Sequence, residues 1–175
     1  TLFGICAYLP DGKPDGSFNN RTGRMKVGFP NGYSQVGITI ALQPDGKIII
    51  GGTAIVRAIN GYNNEFALCR INSDGSLDSS FGNAGLVTTN FCRDDAGRYV
   101  AVQPDGRILL LGEIDCFPHR GNDFALARYM PNGSLDSSFG KNGRLAVDLS
   151  GRDDEPGALV VQPDGKIIVT GYSLF

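Results

Sequence analysis

With 175 residues, 41% of them apolar and 19% charged, the chain is neither too short for a sizeable core nor polar enough to stay disordered. A net charge of −2 with both signs interspersed excludes the basic footprint of a nucleic-acid binder, and no apolar run approaches the roughly 20 residues that cross a bilayer. The 25 glycines, about twice the usual share, suit many tight turns between short strands.

In chain order, Phe3 to Tyr8 reads as a strand with Phe3 and Ile5 on one face by the period-two rule. The chain thus begins at Thr1 within a strand, without an initiator Met or a signal-peptide pattern, as a processed chain or a fragment does. A turn phrase follows, Tyr8-Leu9-Pro10-Asp11-Gly12-Lys13-Pro14-Asp15-Gly16-Ser17-Phe18-Asn19, and then a short strand at Met25 to Val27. Ile40 and Leu42 open the next strand. Gln43-Pro44-Asp45-Gly46-Lys47 is its hairpin tip, with proline pre-setting φ for a type I turn and glycine closing it. Ile48-Ile49-Ile50 is a continuous apolar run, the mark of a strand covered on both faces.

The order then repeats. Phe66 to Ile71 is a strand, Ile71 to Gly82 a turn phrase, and Leu86 to Thr89 a strand. Val100 and Val102 lead into Gln103-Pro104-Asp105-Gly106-Arg107 and the run Ile108 to Leu111. Phe124 to Tyr129, a second turn phrase from Tyr129 to Gly140, Leu145 to Leu149, Leu159 and Val161, Gln162-Pro163-Asp164-Gly165-Lys166 and Ile167 to Val169 complete the chain. The QPDG copies start 60 and then 59 residues apart, and no stretch holds a helical period. These features predict an all-β fold, a β-propeller of four-stranded antiparallel blades, with repeats at roughly 1–48, 49–108 and 109–175. The repeat is cut between its second and third strands. Either two chains form a homo-oligomer, a six-bladed dimer, or the chain is part of a longer propeller; the dimer is preferred.

A QPDGK hairpin paired with a DGSLDSSFG hairpin resembles the bacterial delta-sixty repeat, and the resemblance spans the whole chain. It implies a β-propeller and brings no catalytic residues with it. The first repeat departs most, with Ala7 where Arg70 and Arg128 stand, and Gly16 and Asn19 for Ser79 and Gly82.

Cys6 and Cys69 occupy the same place in successive repeats and read as small buried hydrophobes. Cys92, in a fourth-to-first crossover, and Cys116, in a second-to-third loop, fall on the face opposite the PDG turns. A disulfide between them is expected and would favour an oxidising compartment. Arg93-Asp94-Asp95 and Asp153-Asp154 share that face with His119 and Arg120, and these seven are the candidate ligand-binding residues. Carboxylates clustered on a loop suit calcium, but the spacing does not match a calcium-loop motif, so no metal and no cofactor is expected. A lone histidine without a partner motif argues against acid–base chemistry. Asp74, Asp78 and Asp136 read as turn-formers, as does Asn132, although Asn20 and Asn132 both head glycosylation sequons.

The sequence therefore predicts a non-enzymatic scaffold, extracellular or at the cell surface (the bacterial periplasm being the alternative), that binds a protein or glycan through its loop face. The competing reading is a propeller hydrolase or lyase at the channel mouth, using Asp94, Asp95, Asp153 and His119.

Overall fold

A computed structural model describes residues 1–59, 61–116, 121–149 and 151–174. His119 and Arg120 lie outside the described residues. The described chain is all-β, with twelve strands and no helix. These are β1 (Phe3–Cys6), β2 (Arg24–Val27), β3 (Gly32–Leu42), β4 (Ile48–Ala58), β5 (Gly61–Ile71), β6 (Leu86–Thr89), β7 (Asp94–Val102), β8 (Ile108–Asp115), β9 (Asp123–Tyr129), β10 (Arg144–Val147), β11 (Asp154–Val161) and β12 (Ile167–Ser173).

Strands β3 to β6 pair antiparallel in chain order, and β7 to β10 do the same. One parallel pair, Asn64 with Asp94, joins the two meanders into an eight-stranded sheet. A two-stranded hairpin stands on either side, β1 with β2 and β11 with β12. Corresponding strands share a register: Ile50 lies opposite Cys69 as Leu110 lies opposite Ala127. The hairpin β4–β5 is longer than the apolar run suggests, pairing as far as Ala58 with Gly61 and bringing Tyr33 and Tyr62 within 5.1 Å.

One turn closes both kinds of hairpin. In each QPDG copy the Gln N–H donates to the carbonyl four residues on, at 2.8 Å, and the Asp side chain accepts the N–H two residues on. Gly46, Gly106 and Gly165 take φ of 82°, 82° and 84°, where only glycine avoids a Cβ clash. The turns around Asp11, Asp74 and Asn132 repeat this pattern with φ of 82°, 83° and 89° at Gly12, Gly75 and Gly133. Asn132 accepts both Ser134 N–H and Ser134 Oγ–H, so turn chemistry accounts for its side chain.

The core lies in layers between successive units. Phe3 and Ile5 of the N-terminal hairpin, with Phe29 just beyond it, pack on Ile50, Ala67 and Cys69. Ile49, Phe66 and Phe81 pack on Ile108, Leu110 and Tyr129. Leu109, Leu111 and Leu126 pack on Leu159, Val161 and Val169. Ile108 to Leu111 is buried on both faces, as its unbroken apolar run predicts. The equivalent Ile167 to Val169 is not, and Ile168 is 48% exposed, because β12 pairs with β11 alone. Cys6 also departs from expectation. Cys69 is buried between β4 and β6, which drives its thiol pKa up to about 12, whereas Cys6 on β1 is exposed because β1 pairs with β2 alone.

Candidate functional site: the crossover face

Cys92 and Cys116 are joined in a disulfide with Cα atoms 5.4 Å apart. The bond ties the β6–β7 crossover to the end of β8, so both connections lie on one face. Asp95, the first inward residue of β7, is fully buried and holds the crossover from beneath. Its carboxylate accepts Phe91 N–H at 2.7 Å and Cys92 N–H at 3.1 Å. Burial outweighs these bonds and, with the nearby charges of Glu65 and Asp94, raises the Asp95 pKa to about 6. Asp154, also fully buried, accepts Leu149 N–H at 2.7 Å in the equivalent crossover. The second acid of each pair is therefore a cap for main-chain donors. Gln35 fills the equivalent place within β3, buried, with Oε1 lacking a hydrogen-bond partner.

The first acid of each pair faces outward and links neighbouring units. Asp94 accepts Asn64 Nδ2, and Asp153 accepts Asn122 N–H at 3.0 Å. Arg93 is exposed, and its carbonyl accepts Asn64 N–H at 3.1 Å. Five of the seven sequence-predicted ligand residues thus fall on this face; His119 and Arg120 belong to the undescribed part of the β8–β9 loop. Beside the disulfide runs a groove of about 590 Å³ whose lining includes Phe91, Ile114, Lys141, Asn142 and Arg144. The Arg144 guanidinium lies 5.9 Å from the centre of the Phe91 ring, and its Nε has no hydrogen-bond partner.

Sequence reading does not single out Asp123 or Asp148. With Asp154 they place three carboxylate oxygens within 4.8 Å of one another, an oxygen donor set of the kind hard cations use. All three already have partners within the protein. The visible signal is weak: Asp123 stands where the preceding repeat has Glu65, but Asn90 stands where Asp148 does, so no recurring pattern marks the cluster.

At the opposite end the acids have a second role. Asp78 binds Arg70 Nε at 2.7 Å and Lys47 Nζ at 2.9 Å, and the Arg70 guanidinium stacks on Phe81 at 4.6 Å. Asp136 repeats this with Arg128 at 2.8 Å and Arg107 at 3.0 Å, and Arg128 stacks on Phe139 at 4.5 Å. Burial opposes ionisation of Asp78, but bonds from Lys47 and Ser80 and the charge of Arg70 prevail and hold its carboxyl well below the usual range. At Asp136 the Ser138 hydroxyl, aided by Arg128, lowers the pKa to about 2. These networks tie the two hairpins of one meander together, a structural task.

No curated protein matches the chain. A family profile described as a domain of unknown function (DUF5122) beta-propeller matches residues 43–81, 103–139 and 162–175, together just over half of the sequence. The matched segments are the QPDG hairpins with the strands and turns that follow them, and on that ground the chain belongs to the DUF5122 β-propeller family.

Proposed function

We propose that the chain is a non-enzymatic scaffold of the delta-sixty type, built of four-stranded blades, whose crossover face binds a protein or glycan in an oxidising compartment. The Cys92–Cys116 disulfide carries this reading, because it staples two exposed connections of that face to the sheet and such bonds persist in extracellular or periplasmic surroundings. A rigid base presenting fixed loops is what a recognition surface needs. Arg93 and Asp94 offer both signs of charge there, and the neighbouring groove offers Phe91 and Arg144. The hydrolase or lyase reading would require Asp95 to give up its two main-chain donors, and that makes it the weaker of the two.

The test is an immobilised panel of glycans and peptides probed with the intact chain. Binding to a defined subset, weakened at least about tenfold by Arg93→Ala with Asp94→Ala, is the expected result. Binding that is indifferent to those substitutions, or turnover of a panel member, would overturn the proposal.

A further inference from the structure

Two seams inside the chain share one main-chain contact, and the second adds two side-chain bonds. Between the N-terminal hairpin and the β3–β6 meander, Asn19 N–H donates to the Asp74 carbonyl at 2.7 Å. Between the two meanders, Gly82 N–H donates to the Asn132 carbonyl at 2.8 Å, and Arg70 Nη1 to the Pro131 carbonyl at 2.5 Å. Tyr129 is fully buried across that same seam, with its hydroxyl on Thr89. Within each meander, Lys47 or Arg107 of the QPDG turn reaches Asp78 or Asp136.

The two halves of one more such seam are present but apart. On one side, Leu145 and Val147 stand where Val87 and Thr89 stand, yet they are 41% and 36% exposed. They border an apolar hollow of about 160 Å³ lined by Phe124, Leu126 and Val169 among others. Beside it β12 pairs with β11 alone among the described residues, where Lys166, the counterpart of Lys47 and Arg107, reaches Asp164 of its own turn and no other acid. On the other side β1 pairs with β2 alone among the described residues, and Tyr8, the counterpart of Tyr129, is 64% exposed. Asp15, the counterpart of Asp78 and Asp136, meets no cation among the described residues.

We propose that a second copy of this chain supplies the missing half: the β1–β2 hairpin of one copy docks on β10 of the other and pairs β1 with β12. The registers of β4–β5 and β8–β9, carried over, place Val169 opposite Cys6 and Tyr172 opposite Phe3. In that register Lys166 meets Asp15, Tyr8 covers Val147, Arg128 faces the Pro10 carbonyl and Gly140 N–H faces the Asp11 carbonyl. The fit is one of charge as well as shape, an unmatched acid on one side and a cation on the other. The contact is head-to-tail, and two of them close a two-fold ring of six blades with no free edge.

The test uses the whole chain with Val169→Cys. Strands in register hold opposed Cα atoms about 4.5–5.5 Å apart, within reach of a disulfide. Mild oxidation should therefore link position 169 to Cys6 of another copy, and native mass spectrometry should show twice the chain mass. Asp15→Lys should weaken the dimer about tenfold or more by setting like charges together, and adding Lys166→Asp should restore it. A monomeric wild-type chain, a crosslink closed within one chain, or a dimer indifferent to Asp15→Lys would each overturn the proposal. Because these readouts need no ligand, they stand or fall apart from the crossover-face reading.

Discussion

The phenol of Tyr129 and the hydroxyl of Thr89, 40 residues apart in sequence, meet in a 2.8 Å hydrogen bond with the tyrosine as donor. Both side chains are buried. Burial also drives the Tyr129 pKa upward, so the phenol stays protonated and remains a donor. Tyr129→Phe leaves Thr89 without its partner and should cost about 1–2 kcal/mol. Thr89→Val should cost a similar amount. The double variant should lose clearly less than the sum, and chemical denaturation of all four proteins measures the coupling.

Asp95 makes stability depend on pH in an unusual sense. Its folded pKa of about 6 lies above the ordinary 3.8, so the folded state holds the proton more tightly. Stability from this group is therefore fully present below pH 3.8 and lost as pH rises through 6, a change of about 3 kcal/mol. Asp78 and Asp136 work the other way, since their lowered pKa values stabilise the fold above pH 3.8 and that contribution is lost on acidification. Taken together, these three groups place their joint stability maximum near pH 4. Asp95→Asn should remove the decline between pH 4 and 7 while keeping the acid limb, as urea titrations across that range will show.

The disulfide closes a loop with a sequence separation of 24. Cys92→Ala with Cys116→Ala should lower stability by about 3 kcal/mol through the freedom regained by the unfolded chain. Reduction of the native protein should match that loss. Cys69, buried and held as a thiol, should resist alkylation until the protein unfolds.

Gly46, Gly106 and Gly165 share one positive φ in three copies of one turn. Replacing any of them with Val should cost about 1–2 kcal/mol. An added Cβ meets nothing tighter than an ordinary contact, Pro131 at 3.4 Å from Gly106, so the three costs should be alike. Thermal melts of the three variants make the comparison.

The sequence showed the fold far more readily than the site. Periodic apolar runs and P-D-G turns report directly on strands and hairpins, which is why Ile108 to Leu111 could be placed in the core from residues alone. Burial that depends on a neighbouring unit could not be read the same way. Cys6 and Cys69 are alike in sequence, and only the number of paired strands around them separates an exposed thiol from a buried one. The acids misled for a related reason. Asp94-Asp95 looks like a surface pair, but strand alternation turns one outward and one under the crossover, where main-chain donors await it. The cluster of Asp123, Asp148 and Asp154 draws on two crossing connections, and no local pattern could have joined them.

The bond from Arg70 to the Pro131 carbonyl has a consequence for how such a chain can lengthen. Donor and acceptor sit at positions that every complete repeat carries, so an extra copy of about 60 residues would arrive with both halves of its joints already matched to its neighbours. Growth by duplication then needs no new complementary surface, and the number of units becomes a matter of counting. What must be invented afresh is only a means of ending the series.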